Sequence, residues 1–333
     1  MSRKFLSCAL ALSCVSLFIT GADFACAAAP AHKIVRVGFV HPQSPATATR
    51  GVRVFWDHLH ELGYVEDQNL VIETRWAEGR TERLPALIAE VLASKVDVLV
   101  TYATQTTVAA KNATNTVPIV GVAVGDPISI GLAASVARPG GNVTGFAGWW
   151  AGEGIASKWV ELLQETVPRL SHIAVIVNPD TAIARDLKKE LQAAAPAHGP
   201  KLHFIEAREP ATLASAFEQA AKVGQAILVL PSIVYSGHRW QVTALASKRR
   251  LPTIYYMRDF VDAGGLMSYG SDVALTWRRA ADYVDKIVNG AMAGDLPFQQ
   301  PTKLELVVNL QSAKALGITI PESILLRADE VIR

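Results

Sequence analysis

Polar and aromatic side chains follow directly after several apolar runs of this 333-residue sequence, where they could bind a small molecule. In the first half of the chain, six candidates come after three such runs: His41, Ser44, Tyr102, Thr104, Gln105 and Asp126. In the second half, five candidates follow the corresponding runs or lie near a later crossover: Asn178, Ser232, Tyr256, Tyr269 and Asp272. Their hydroxyl, amide, carboxyl and ring groups suit the binding of a polar ligand.

Thr104 and Gln105 stand at the start of a predicted helix, within the hydroxyl-rich residues 102–107. The N-terminus of a helix offers unpaired N–H groups and a partial positive charge of about half a unit, which suits a ligand carboxylate. The alternative is that Thr104 or Thr106 only caps the helix.

Asp126 follows another apolar run and precedes a proline. Its carboxylate could hold a ligand ammonium through a charge-assisted hydrogen bond, although Asp before Pro is also a common helix N-cap arrangement. His41 and Ser44 could contact a ligand as well, but Pro42 and Pro45 would also make this segment an ordinary turn.

Several aromatic residues lie near predicted strand ends or crossovers, where a flat apolar ligand could stack on them. They are Tyr102, Trp149, Trp150, Tyr235 and Tyr256. For the two tryptophans, packing in the core or support of a hinge is the alternative.

Residues for catalysis do not assemble in this sequence. Residues 265–270 have one residue too many for a nucleophile elbow, and residues 152–158 lack the spacing of a phosphate-binding loop. His58 and His60 are two residues apart and would point to different faces of a helix, which disfavours a shared metal. We therefore expect no catalytic residues, no metal and no cofactor.

Three apolar runs in the first half of the sequence recur in the second half. Residues 34–40, 96–101 and 117–122 correspond to residues 172–178, 225–230 and 251–256. Each run is short and rich in β-branched residues, and stretches of helical period separate the runs, which is typical of parallel strands covered on both faces. We predict an α/β protein of two similar doubly wound parallel-sheet lobes with an interlobe cleft. Open parallel sheets bind ligands beyond the carboxyl ends of their strands, so the candidate residues should border that cleft.

Other patterns complete the predicted lobes. Further strands are expected at residues 69–76, 143–146, 201–206, 265–269 and 304–309. Helices are expected at residues 52–62, 82–93, 107–113, 130–137, 184–199, 213–223, 240–249, 260–263, 273–289 and 312–316. Lobe 1 then comprises residues 34–146 plus about 273–290, and lobe 2 comprises residues 156–272 plus about 300–333, with a crossover at residues 147–155.

The first residues have the layout of a secretory signal peptide. Arg3 and Lys4 precede an apolar stretch, and small residues around Cys26 follow it, so we expect residues 1–27 to be removed and the protein to be periplasmic. All three cysteines lie in this segment, and the residues before Cys26 lack the pattern of a lipid-attachment site, so we expect no lipid anchor. A formal net charge of +2 gives no support for nucleic-acid binding.

The last part of the sequence contains RRAADYVDKI at residues 278–287, DLP at 295–297, QPTK at 300–303 and ALGITIP at 315–321. Shorter motifs are ELGY at residues 61–64, DP at 126–127 and PGGNVTG at 139–145. In these motifs the chain resembles the ABC transporter substrate-binding proteins of the tryptophan/tyrosine-binding type.

The resemblance implies the periplasmic-binding-protein type I fold and a receptor for an ABC importer. Such a receptor closes its cleft by hinge motion on an amino acid or related carboxylate, possibly aromatic, and is then recognised by a permease in the inner membrane. We also expect a monomer that binds no nucleic acid. Two alternatives remain open at this point: an exported protein that presents its ligand to a membrane sensor, and an exported hydrolase that uses the same cleft.

Overall fold

The structure is a computed structural model, and it describes residues 34–148, 154–181, 183–194, 199–301 and 303–333. Residues 34–333 form one compact unit that contains two β-sheets. The predictions for the signal peptide, Cys26, Trp149 and Trp150 lie outside the described residues.

The first sheet has five parallel strands in the order β2-β1-β3-β4-β5. Its strands are β1 (Val35–His41), β2 (Leu70–Trp76), β3 (Val98–Tyr102), β4 (Ile119–Val124) and β5 (Val143–Ala147). Since almost every residue of β1, β3, β4 and β5 is buried, these strands are covered on both faces, as their uninterrupted apolar sequence predicts.

The second sheet has seven strands in the order β12-β11-β10-β9-β8-β6-β7. They are β6 (His172–Val177), β7 (Lys201–Glu206), β8 (Ala226–Val229), β9 (Thr253–Tyr255), β10 (Met267–Ser271), β11 (Leu304–Asn309) and β12 (Glu330–Ile332). The order β7-β6-β8-β9-β10 repeats that of the first sheet, which confirms the predicted duplication. Strand β11 runs antiparallel to β10 and extends the sheet.

Twelve α-helices are assigned in the described residues. They are α1 (Arg50–Glu61), α2 (Leu84–Ala93), α3 (Thr104–Ala113), α4 (Ile155–Thr166), α5 (Ala184–Ala194), α6 (Leu213–Val223), α7 (Ile233–Gly237), α8 (Arg239–Lys248), α9 (Asp259–Asp262), α10 (Val273–Val288), α11 (Leu310–Leu316) and α12 (Glu322–Leu325). We call the first sheet with α1–α3 and α10 lobe 1, and the second sheet with the remaining helices lobe 2.

Two hydrophobic clusters cover the two faces of the first sheet. Val37 and Phe39 of β1 pack with α1 and α10, whereas Val40 packs with α2 on the opposite face, as the alternation of side chains along a strand requires. Helix α10, although late in the chain, lies against α1, and His58 Nε2 is 2.7 Å from Asp282 Oδ1 between these two helices. This packing places the start of the late helix beside the carboxyl ends of β1 and β3.

The predicted helix at residues 130–137 is wrong, because the structure has turns there. Pro127 O accepts hydrogen bonds from the backbone N–H groups of Leu132 and Ala133, and Gly131 has φ 73°, a left-handed conformation that does not continue a helix. Apolar residues at helical spacing were therefore an insufficient signal in a segment interrupted by glycine and followed by Pro139.

Helix α4 was not predicted from the sequence, although it carries part of the lobe 2 core. Its buried face includes Trp159, Leu162 and Leu163, and Trp159 Nε1 donates to Tyr269 O at 2.7 Å. The glycine-rich segment before Ile155 is typical of a linker, and the helical spacing that follows it was not interpreted as a helix. Helices α7 and α12 and strand β12 were missed because each has only three to five residues.

Candidate ligand-binding site

Three aromatic rings lie nearly parallel at the carboxyl ends of β1 and β3. The His41 and Tyr102 ring centroids are 4.6 Å apart with an interplanar angle of 9°, and the Tyr102 and Trp277 centroids are 5.6 Å apart at 14°. We call these three residues the ring stack. All three side chains are buried, with Tyr102 the most exposed at 8%.

Sheet register and one glycine position the ring stack. Val40 is the partner of Thr101 across β1 and β3, so His41 and Tyr102 leave the sheet side by side. Trp277 comes from the second turn of α10 and packs on the start of α1, where a Cβ added at Gly51 would lie 2.1 Å from Trp277 Cδ1. A side chain at position 51 would therefore displace the indole.

His41 is a neutral histidine with a defined tautomer. Burial lowers the pKa of its imidazole to about 3, so the ring carries no charge at neutral pH. The backbone N–H of Gln43 donates to His41 Nδ1 at 3.1 Å, which leaves the single ring proton on Nε2. This Nε2–H is buried and has no hydrogen-bond partner among the described residues.

Helix α3 begins directly beyond Tyr102, beside His41. Thr104 Oγ1 accepts from Gly125 N at 2.8 Å, and Thr107 Oγ1 donates to Ala103 O at 3.0 Å, so both hydroxyls hold this loop in place. The buried Thr106 Oγ1, in contrast, has no partner in the part of the chain that the structure describes. Gln105 is exposed in the same turn.

The two lobes contact each other next to the ring stack. The side-chain amide of Gln43, after β1, lies 2.7 Å from Ser236 Oγ in α7. Arg239 Nη1 of α8 donates to Thr47 O at 2.6 Å. We call this contact between residues 43–50 of lobe 1 and 233–259 of lobe 2 the interlobe seam.

Asp259 is a buried carboxyl group in the interlobe seam. Its Oδ1 accepts from the backbone N–H of Arg50 at 3.2 Å and so occupies the N-terminus of α1, where the N-cap residue Thr49 makes no side-chain hydrogen bond. Burial raises the pKa of Asp259, and the nearby acid contributes to the raised pKa of Tyr102 across the seam, after burial as the main cause.

Predicted residues of lobe 2 bond to one another beside the seam. Asn178 Nδ2 donates to Ser232 Oγ at 3.2 Å, and Ser232 Oγ accepts from Val234 N, which caps α7. Tyr256 OH donates to Ser232 O at 3.1 Å, and burial raises the pKa of this phenol. The structure thus brings Asn178, Ser232 and Tyr256 together.

Four other predicted residues have local structural contacts. Ser44 Oγ is 2.8 Å from Thr47 Oγ1 within a turn, and Asp126, which is exposed, accepts from Ile128 N at 3.0 Å. Asp272 caps α10 by accepting from Leu275 N at 3.0 Å. Tyr269 packs against the core of lobe 2.

Sequence reasoning missed Arg50 and Arg239, and it placed Trp277 only on the packed face of a helix. It located Asp259 near a predicted strand end but did not select it as a contact. Asp259 lies three residues beyond a predicted strand end, and this proximity was the one available signal for it.

In the described ranges, no group of three or more His, Cys, Asp or Glu side chains could hold a metal ion. Among the same residues, no helix combines the length and the apolar character needed to cross a membrane.

Two doubly wound sheets whose carboxyl strand ends meet across a seam define a periplasmic-binding-protein type I fold. The chain belongs to the ABC transporter substrate binding protein family, whose model matches residues 37–332. This family consists of ligand-binding proteins.

Individual relatives agree with this assignment. The tyrosine-binding protein of Clostridioides difficile is 25% identical over 265 residues, which cover 78% of this chain and 74% of the relative. A conserved domain protein from Vibrio cholerae is 30% identical with a TM-score of 0.81, over 90% of this chain and 100% of that one. The ABC domain of Streptococcus pneumoniae in complex with L-Trp is 25% identical with a TM-score of 0.80, over 90% and 99%.

Proposed function

We propose that this protein is an exported receptor of an ABC importer that binds an aromatic amino acid between its lobes. The ring stack carries the proposal, because flat rings at the carboxyl ends of β1 and β3 offer a stacking surface where α/β sheets bind ligands. The names of the relatives support the same ligand class, since one is called tyrosine-binding and another is in complex with L-Trp.

The proposed ligand contacts come from both lobes. Lobe 1 supplies His41, Tyr102 and Thr106, and lobe 2 supplies Tyr256 and Asp259. Hydrogen bonds join the two lobes across the interlobe seam, and we propose that ligand binding shifts a hinge equilibrium toward this joined state. A permease then recognises the closed receptor.

The test is isothermal titration of the protein with L-tryptophan, L-tyrosine and L-phenylalanine, with L-leucine and L-glutamate as controls. We expect at least one aromatic amino acid to bind with a Kd of about 10 μM or tighter, and the controls to bind at least about 100-fold more weakly. Binding of L-glutamate alone, or of none of the five, would contradict the proposal.

Tyr102→Leu and Tyr255→Leu form a matched pair of variants for the same titration. Both tyrosines end a strand and stack on a ring, since the Tyr255 and Phe260 centroids are 4.8 Å apart, but Tyr255 belongs to the core of lobe 2. Removing the Tyr102 ring should weaken binding at least about tenfold, whereas removing the Tyr255 ring should lower stability with a smaller change in Kd. Equal losses of affinity would show that the ring stack only supports the fold.

The three hypotheses of an importer receptor, a sensor receptor and an enzyme predict different experimental results. An importer receptor stimulates ATP hydrolysis by its reconstituted transporter when ligand is present, whereas a sensor receptor does not. Mass spectrometry of the ligand after incubation should recover it unchanged, and a hydrolysed product would establish the enzyme. Export predicts that protein from the periplasmic fraction lacks residues 1–27.

A further inference from the structure

We infer that His41 is the residue that recognises the carboxylate of the ligand, by donating its Nε2–H to one carboxylate oxygen. This inference rests on the proposed function, because it assigns a group of the proposed amino acid to a group of lobe 1. Nothing in the family match assigns a role to this residue.

The tautomer makes His41 a donor and excludes it as an acceptor. Because Nδ1 already accepts from the backbone N–H of Gln43 at 3.1 Å, the ring proton is on Nε2. A ligand ammonium has only donors and cannot bond to Nε2–H, whereas a carboxylate oxygen can accept from it. The neutral ring therefore selects for an acceptor by hydrogen bonding rather than by charge.

Leaving this donor without a partner is costly. A buried N–H group with no acceptor destabilises a protein, because it has lost its hydrogen bond to water, and most such groups in native structures are bonded. Nε2 of His41 has no acceptor among the described residues, while stacking on Tyr102 keeps the ring in place. A ligand oxygen that reaches Nε2 recovers the lost hydrogen bond and gains affinity from it.

The surroundings of His41 favour an anion over a neutral oxygen. The ten-residue helix α3 starts beside His41, because Val40 and Thr101 are partners in neighbouring strands and α3 begins at Thr104. Its first N–H groups carry partial positive charge, and the buried Thr106 Oγ1 in its first turn is a second group with no partner in the described ranges. If one carboxylate oxygen accepts from His41 Nε2 and the other accepts from the first turn of α3, both His41 Nε2 and Thr106 Oγ1 gain a hydrogen-bond partner.

Two variants separate the donor from the ring. His41→Phe keeps an aromatic ring for stacking but has no donor, and His41→Gln keeps an N–H donor but has no ring. The probes are L-tryptophan and tryptamine, which is the same molecule without the carboxylate, measured by titration or by competition.

We expect His41→Phe to weaken L-tryptophan binding about 20-fold or more and tryptamine binding by less than about threefold, since a hydrogen bond to a charged group is lost only with the first ligand. His41→Gln should recover L-tryptophan affinity to within about fivefold of the unmodified protein. An L-tryptophan Kd for His41→Phe within about threefold of the unmodified protein, or an equal loss for both ligands, would overturn the inference.

A measurement on the unmodified protein does not depend on the folding of any variant. Long-range ¹H–¹⁵N correlation spectra identify the Nε2–H tautomer, and His41→Gln assigns the signal by its loss. Addition of L-tryptophan should move the Hε2 resonance downfield, whereas tryptamine should not. An unmoved Hε2 signal at saturating L-tryptophan contradicts the inference but leaves the proposed function intact, while no binding of L-tryptophan to the unmodified protein contradicts the proposed ligand.

Discussion

Lobe 1 presents aromatic rings and unpaired donors at the carboxyl ends of β1 and β3, whereas the polar groups that follow β6, β8 and β9 of lobe 2 bond to one another. His41 Nε2 and Thr106 Oγ1 of lobe 1 have no partners in the described part of the chain. At the matching positions of lobe 2, Asn178 donates to Ser232 and Tyr256 donates to the same residue's carbonyl. Two sheets with the same strand order thus end in chemically different loops.

This difference assigns different tasks to the lobes. Unpaired donors after β1 and β3 would gain hydrogen bonds from a ligand, whereas the bonded groups after β6, β8 and β9 hold their own loops in place. Lobe 2 also supplies buried acids that face lobe 1, since Asp259 accepts from Arg50 N and Glu305 interacts electrostatically with Arg50. We interpret lobe 1 as the main recognition surface and lobe 2 as the lobe that closes on it.

The largest expected effect comes from removing a ring of the ring stack. Trp277 is fully buried against α1, so Trp277→Ala should lower the free energy of unfolding by about 3 to 5 kcal/mol and weaken ligand binding as well. The control is Trp240→Ala in lobe 2, where the side chain is 59% exposed and the expected change is within about 0.5 kcal/mol. Urea unfolding of both variants is the measurement, and similar losses would contradict the comparison.

A smaller effect is expected from the acid of lobe 2 that faces Arg50. Burial, followed by the charge of Asp272, raises the pKa of Glu305 to about 7 from 4.5. Between these pH values the native state holds a proton that the unfolded state has released, so the free energy of unfolding falls as pH rises through this range. The total decrease in the free energy of unfolding across this pH range is at most about 3 kcal/mol.

Glu305→Gln should therefore flatten the dependence of stability on pH between about 4.5 and 7, and it should stabilise the protein at pH 8. Denaturant unfolding at pH 5, 6, 7 and 8 measures this, with Glu322→Gln at an exposed position as the control. A variant whose stability follows the unmodified protein at all four pH values would show that Glu305 is not held in its neutral form.

The smallest effect on ligand binding is expected at Asp126, a candidate at the periphery of lobe 1. Its carboxylate is exposed and accepts from Ile128 N at 3.0 Å, as in a local turn. Asp126→Ala should lower stability by about 0.5 to 1 kcal/mol and change ligand affinity by less than about twofold. A tenfold loss of affinity in titration would instead place Asp126 in the binding site.

Much of the fold was predictable, because covered parallel strands have a strong local signal. The duplicated runs predicted the corresponding strands of both lobes, and the long amphipathic pattern at residues 273–289 predicted α10 to within one residue. The prediction was wrong at residues 130–137, where apolar residues have helical spacing but glycine and proline interrupt the backbone. It also omitted α4, because the glycine-rich segment before this helix was interpreted only as a linker.

The site was predictable only as a set of loops. The rule that ligands bind beyond strand ends selected His41 and Tyr102 as candidates, and the structure brings their rings together, because the position of a strand end is a local property of the sequence. It located Asp259 only near a strand end, because the contact of this carboxyl group with the start of α1 joins residues about 200 positions apart in the chain. It also placed Trp277 only in the core, since the spacing of residues within α10 does not show which other ring the indole contacts.

The sequence by itself determined the duplicated strands, the helices between them and the family, since these depend on local periodicity and on residues in fixed spacing. Tertiary structure alone decided which side chains became the proposed recognition groups. Packing of α10 on α1 set Trp277 against Tyr102, and a single backbone contact from Gln43 fixed the proton of His41 on Nε2. The physical reason is that hydrogen-bond satisfaction depends on every neighbour in space, and the neighbours of the site come from both ends of the chain.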